Sequence, residues 1–390
     1  MSVTAAKGFV AGGTACGIKA SGAPDLAIVA TADAAPVPAA GVFTTNLVAA
    51  APVQISRRHL ADGRAAAVVL NSGNANAATG EPGRADALHM AALTGDALGC
   101  DASDVLVCST GLIGYRLPMD TLEEGIPRLA QNLTGSESAA EALLTTDTVR
   151  KEAVAPVGGT AAVAGGIAKG AAMLSPAMAT MLAVLTTDAG VAPDVLQDAL
   201  ATAVDSTFNA LCIDACTSTN DTVLVLAGGA SGVTIDDAAS RHALTDALTA
   251  VCDSLALQMA QDAEGGTKVA TITVRGARSV AEARQAARTV ASSQLVQCSL
   301  NGEDPYWGRV LSELGASGAF FHQEDVEISY GGIVVCRNGV AAKHDAAAVA
   351  RVMTGRDIAI DCDLGAGTSH ATLRFTDLSH DYVDENRGTS

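Results

Sequence analysis

Short apolar runs alternate with amphipathic stretches along the chain, and the two periodicities predict strands and helices in turn. AAAVVL (65–70) and DVLVC (104–108) have the length and content of buried strands, and each leads into a polar loop containing glycine. Between them, from about Arg84 to Leu98, an alanine-rich stretch predicts a helix. The clearest helix covers 236–263, where Leu244, Leu248, Val251, Leu255 and Met259 recur at helical spacing and share one face. Asp236 and Asp237 stand where a helix N-terminus favours acids. The pattern reaches Glu264, and Gly265-Gly266 predicts the stop. Further on, KVATITV (268–274) predicts a strand, 280–292 a helix, and 325–336, 357–362 and 370–375 strand-like runs. The order is that of an α/β protein, with no internal repeat and no compositional linker to mark a domain boundary.

Composition narrows this picture. Hydrophobic residues make up 49% but aromatics only 3%, so Ala, Val, Leu and Ile must fill the core. The 39 glycines imply many tight turns and close backbone approaches. A formal charge of −18 argues against nucleic acid or an anionic membrane surface as partner, since both call for basic clusters. No apolar run reaches the roughly 20 residues of a membrane span, and the start, MSVTAAKGFVAGG, lacks a signal peptide's apolar stretch. The nine cysteines include no C-x-x-C pair. Cys212 and Cys216 read as two small buried hydrophobes rather than half a metal site, and a reducing cytoplasm is the expected location. The seven histidines are scattered from His59 to His380 without an H-E-x-x-H pattern, so no metal site is expected. No cofactor is expected either: there is no phosphate loop and no dinucleotide fingerprint. The G-x-S-x-G elbow of a Ser-His-Asp hydrolase is also missing.

The segment 165–188, GGIAKGAAMLSPAMATMLAVLTTD, carries the chemistry. Its first half is small and apolar with one lysine, Lys169; Pro176 then interrupts any helix, and TMLAVLTT reads as a buried strand headed by Thr180. Threonine at that position is accounted for by its strand propensity alone. The alternative is an autoprocessed nucleophile: cleavage between Ala179 and Thr180 frees an α-amine. Such an amine titrates near ~7.7–8.0 and can accept the proton of its own hydroxyl.

AKGAAMLSPAMATML resembles the processing site of the ornithine acetyltransferase family. Further blocks follow in that family's order: GIKASGAPDLA (17–27), AGVFTTN (40–46), VLNSGNANAATG (69–80), CSTGLIG (108–114), TTDT (145–148), STNDT (218–222), DAEGGTK (262–268), DPYWGRV (304–310) and DLSHDYVDEN (377–386). The resemblance covers nearly the whole chain. It implies an α-β-β-α layered sandwich with a smaller C-terminal α/β lobe, built from two chains, 1–179 and 180–390, that form one intertwined unit. It implies Thr180 as acyl-accepting nucleophile, with Thr110 and Gly111 as the oxyanion hole. Thr145, Lys169, Glu264, Asn386 and Ser390 are the implied substrate contacts, Lys169 for the carboxylate or as positive charge near the processing site, and Glu264 for the free amine. The implied reaction moves acetyl from N-acetylornithine to glutamate by ping-pong through an acetyl-threonine, without a cofactor, in an α2β2 or larger assembly. A lysine in so apolar a segment is costly unless it meets an anion, whereas Glu264 also reads as an exposed acid at a helix end. The chain departs from the family pattern at Tyr306, where asparagine is usual, and in its Arg387-Gly388 tail.

Two other readings compete. A self-processing aminopeptidase or amidase of related fold would use the same hydroxyl with water as acceptor. A non-catalytic binding protein would run as one 38.9 kDa chain.

Overall fold

The computed structural model describes residues 2–173 and 181–387, so Ala179, Thr180 and Ser390 lie outside the described residues. Two sheets face each other. The first has the order Phe9–Thr14, Leu26–Thr31, Ala67–Asn74, Val105–Leu112, antiparallel except for the parallel last pair. The second runs Val37–Phe43, Thr222–Ala227, Leu182–Thr187, Val163–Lys169, Lys151–Pro156, with the short Arg64–Ala65 beyond Val37–Phe43.

The central strand Leu182–Thr187 shows why the sheets stack. It pairs in parallel with Thr222–Ala227 and antiparallel with Val163–Lys169, and all six residues are buried. Side chains alternate across a strand, so Leu182 and Val184 join Val68, Leu70, Leu106, Leu224 and Leu226 in the core between the sheets. Ala183 and Leu185 belong to the outer core, against Leu196 and Leu200 of the helix Pro193–Ser206 and the apolar stripe of Ala238–Gln261. On the other side, Ile28, Val69 and Val107 of the first sheet pack with Ile55, Met90, Leu122 and Ile126 of three more helices. The layers are therefore helix, sheet, sheet, helix, as expected.

The C-terminal lobe is also present. A seven-stranded mixed sheet, from Leu211–Cys212 at one edge to Val340–Ala341 at the other, shares one core with the helices Val280–Ala291, Trp307–Ala316 and Ala346–Met353. Among the described residues no helix is long and apolar enough to cross a membrane.

Three local expectations change. The helix begins at a capping box of Asp237 and Ser240 but ends at Gln261, short of the expected end at Glu264. Asp262 is the C-cap, its backbone N–H donating to the Gln258 and Met259 carbonyls, and its carboxylate is taken by Lys151 at 2.6 Å and by the Thr148 amide at 3.0 Å. Glu264 thus stands beyond the helix, its amide donating to the Ala171 carbonyl at 2.9 Å. The run 325–336 is a hairpin, Glu327–Tyr330 with Ile333–Arg337, because Gly331 and Gly332 both take positive φ and turn the chain. Finally, Cys212 is buried but Cys216 is exposed: the chain leaves the lobe sheet after Cys212, and Cys216 sits in a turn held by the Asp214 carboxylate.

Candidate active site

Thr110 and Gly111 close the strand Val105–Leu112, where its parallel register with Ala67–Asn74 breaks. Pairing is regular up to Gly73↔Gly111, and Asn74 then faces both Thr110 and Leu112. Gly111 has φ +129°, and a Cβ there would fall 2.3 Å from the Gly73 carbonyl carbon. Only glycine fits. Side-chain amides fix this turn. Ser109 donates to Asn71 at 2.6 Å, Asn71 to the Asn74 carbonyl at 2.8 Å, and Asn220 to the carbonyls of Ala75 and Ser109 at 2.7 and 2.9 Å. Asn220 belongs to the second sheet's side of the molecule, so these last bonds tie the two sheets together at the Thr110 turn.

The neighbouring residue, Asp221, reaches the other candidate segment. Its carboxylate accepts the Met181 amide at 2.9 Å, immediately downstream of Thr180, and the residue is fully buried. Burial pushes this carboxyl well above the usual range, although the Met181 amide and the charge of Lys169 pull the other way. Consecutive residues 220 and 221 thereby hold the Thr110–Gly111 turn and the head of the central strand side by side.

Lys169, expected to meet an anion, is buried at the end of its strand and stands 3.6 Å from Asp147. The same Asp147 oxygen accepts the amide and hydroxyl of Thr145 at 3.2 and 3.4 Å. Its other oxygen accepts from Lys151 at 2.7 Å and from the Gly170 amide at 2.6 Å. Burial opposes ionisation of Asp147, but the charges of Lys169 and Lys151 outweigh it and hold the carboxyl far below the ordinary carboxylate range. Lys19, from the GIKASG block, donates to the carbonyls of Leu144 and Pro24 at 2.6 and 2.7 Å. Its loop is shaped by Asp25, which accepts the amides of Cys16, Gly17, Ile18 and Lys19.

Glu264 is buried, and Asn386 donates to it at 2.6 Å. Their meeting depends on Gly265, which has φ +61° and lies so close to the helix His380–Glu385 that a Cβ would be 2.2 Å from the Tyr382 amide. The Tyr382 hydroxyl donates to Asp214 at 3.3 Å; burial, and then Asp214, push its pKa up. Asp214 also accepts the Met173 amide at 2.5 Å. The Glu264 amide bond to Ala171 links this group to the chain just beyond Lys169.

Thr110, Gly111, Thr145, Lys169, Glu264 and Asn386 thus fall into connected groups around the end of the central strand. Sequence reasoning missed Asp147, Lys151, Asp262, Asn220 and Asp221. Four of these lie inside the TTDT, STNDT and DAEGGTK blocks, where a signal was present. Lys151 lies outside every block, and only its burial between Asp147 and Asp262 distinguishes it from a surface charge. Among the described residues no group of three or more His, Cys, Asp or Glu is arranged to hold a metal ion.

The fold and these groups define an α-β-β-α protein with a polar, densely hydrogen-bonded centre where the two sheets meet. A model of the ArgJ family matches residues 10–388, and the chain belongs to that family. An arginine biosynthesis bifunctional protein ArgJ from Streptomyces coelicolor is 46% identical over 392 residues, covering 100% of both chains. The protein of the same name from Mycobacterium leprae is 47% identical, covering 100% of this chain and 95% of that one. A solved arginine biosynthesis bifunctional protein ArgJ from Bacillus halodurans aligns with a TM-score of 0.50 at 32% identity, covering 52% of this chain and 96% of that chain.

Proposed function

We propose that this enzyme of arginine biosynthesis matures by cutting itself between Ala179 and Thr180 and then transfers acetyl from N-acetylornithine to glutamate through Thr180. In maturation the Thr180 hydroxyl attacks the Ala179 carbonyl carbon. The peptide C–N bond breaks, the freed α-amine takes up the hydroxyl proton, and water hydrolyses the ester to leave Ala179 with a carboxylate. In the first half-reaction the α-amine accepts the Thr180 hydroxyl proton while the oxygen attacks the acetyl carbonyl. The amide C–N bond then breaks, and the proton passes to the departing amine of ornithine. In the second, the glutamate amine attacks the carbonyl carbon of the threonine ester, the ester C–O bond breaks, the amine's proton passes back to the Thr180 oxygen, and glutamate leaves as N-acetylglutamate. Both acids present an α-carboxylate to one pocket, so a single site serves both halves.

Thr110 and Gly111 stabilise the oxyanion at each tetrahedral stage, by a hydroxyl and a backbone N–H. Thr145 and Lys169 take the carboxylate, Glu264 and Asn386 the side-chain amine of the donor, and Ser390 completes the contacts. The observation that carries this reading is the Asn220–Asp221 pair, which holds Ser109 and Met181, the neighbours of Thr110 and Thr180, in one place. The solved Bacillus halodurans chain supports the cut, since nearly all of it aligns with about half of this one. Chains 1–179 and 180–390 remain associated in the cytoplasm as α2β2 or larger units. Exposing Leu182, Val184 and Leu185 would cost about 1.5–3 kcal/mol each.

Intact mass and an acetyl-transfer assay test the proposal together. Active wild-type protein is expected as two fragments, and Thr180→Ala as one inactive 38.9 kDa chain. Active protein with the bond intact overturns the scheme, and hydrolysis of amides or peptides without transfer to glutamate favours the aminopeptidase reading. Because the relatives are named bifunctional, the assay runs with N-acetylornithine and with acetyl-CoA as donor.

A further inference from the structure

A chain of buried charges runs beneath the candidate substrate contacts. Lys151 is fully buried and sits between two carboxylates, Asp147 at 2.7 Å and Asp262 at 2.6 Å, with the Val149 carbonyl at 3.1 Å. Asp147 divides its work. One oxygen is anchored by Lys151 and the Gly170 amide, and the other faces Thr145 and Lys169. Asp262 caps the long helix two positions before Glu264 and also binds the amides of Thr148 and Val149. Thr145 and Lys169 at one end, and Glu264 at the other, are thus joined through Asp147, Lys151 and Asp262.

We infer that Asp147 is a positioning residue for the transfer reaction. It holds the Lys169 ammonium and the Thr145 hydroxyl in the geometry that receives the substrate carboxylate, and through Lys151 and Asp262 it sets their separation from Glu264. This rests on the proposed function, which supplies the two α-amino acid substrates. Lys169 alone is a charge on a flexible stem with three donors, and Asp147 gives that stem one orientation before substrate arrives. Asp147 is too enclosed by its own partners to serve as a substrate ligand. The bond from Lys151 to Asp262 also spans the proposed cut: Asp147 and Lys151 lie upstream of it and Asp262 downstream.

The two substrates share the carboxylate, so loss of Asp147 weakens both, in the ground state and the transition state alike. A loss of that kind raises KM and spares kcat. Asp147→Asn keeps the shape and leaves Lys151 its second counterion, Asp262. For this variant KM for both N-acetylornithine and glutamate is expected to rise about tenfold or more while kcat stays within about threefold. Asp147→Glu restores the charge on a longer arm and is expected to fall between the two. If Asp147→Asn does not accumulate as folded, cleaved protein, Asp147→Glu decides in its place, with raised KM for both substrates expected. Unchanged KM for either substrate in the deciding variant, or a loss confined to kcat, overturns the inference. A wild-type enzyme that transfers no acetyl group would instead overturn the proposed function, so the two failures are told apart by the control.

Discussion

The Asn386 amide donates to the Glu264 carboxylate at 2.6 Å, across 122 positions of sequence. Glu264 is buried, and burying a polar group costs free energy unless it meets partners. Asn386 supplies one, and a substrate ammonium would supply a stronger one. Glu264→Gln keeps the bond framework but removes the charge. It is expected to raise KM for N-acetylornithine by about tenfold or more, as loss of a charged hydrogen bond does, with a smaller effect on glutamate, whose side chain is anionic. Steady-state kinetics with each substrate varied in turn check this. Equal effects on both would remove Glu264 from the amine-binding role.

Gly265→Ala should reach the same pair indirectly. The added methyl meets the Tyr382 amide and the residue already has φ +61°, so the helix His380–Glu385 must move and carry Asn386 away from Glu264. The expected result is a raised KM for N-acetylornithine and loss of protection at the 380–386 amides in hydrogen exchange. The central sheets should keep their protection.

Gly111→Ala strains the Thr110 turn at its tightest point, 2.3 Å from the Gly73 carbonyl carbon. Removing one oxyanion donor typically costs about 100- to 1,000-fold in kcat, and displacing this turn is expected to cost at least that. Stopped-flow acylation measures it. An acylation rate near wild type would exclude the turn as an oxyanion hole.

Asp147 and Asp221 give opposite pH dependences of stability. Lys169 and Lys151 overcome burial to depress Asp147, so its contribution is present above the unfolded value of about 3.9 and is lost as pH falls below it. Burial raises Asp221, so its contribution is full below about 3.9 and is lost as pH rises towards its folded value. Thermal melting from acid to neutral pH should show Asp147→Asn with a shallower loss of Tm on acidification than wild type. Asp221→Asn should be relatively more stable than wild type near neutral pH than in acid. Parallel Tm–pH curves for all three proteins would contradict both assignments.

Much of the fold was legible because its signals are local. The apolar spacing from Leu244 to Met259 became one buried helix face, and the run after Thr180 became a strand buried on both sides. The family blocks pointed to Thr110, Gly111, Lys169 and Glu264, four residues that the fold draws into connected groups. Where the same helix ends was not legible. The Gly265-Gly266 stop signal carries the helix to Glu264, whereas it ends at Gln261, and the carboxylate of the capping Asp262 finds its partner in Lys151, 111 positions away.

By itself the sequence determined which segments are strands and helices, where the chain is too apolar to face water, and the family to which it belongs. Each of these follows from neighbours a few residues apart or from blocks in fixed order. Only the tertiary structure decided that Lys151 is wholly buried between two carboxylates, that Asn220 joins the two sheets, and that Cys216 is exposed. A charge or an amide carries no local mark of its partner. Ion pairs and hydrogen bonds over more than a hundred positions exist only once the sheets have stacked and water has been excluded from between them.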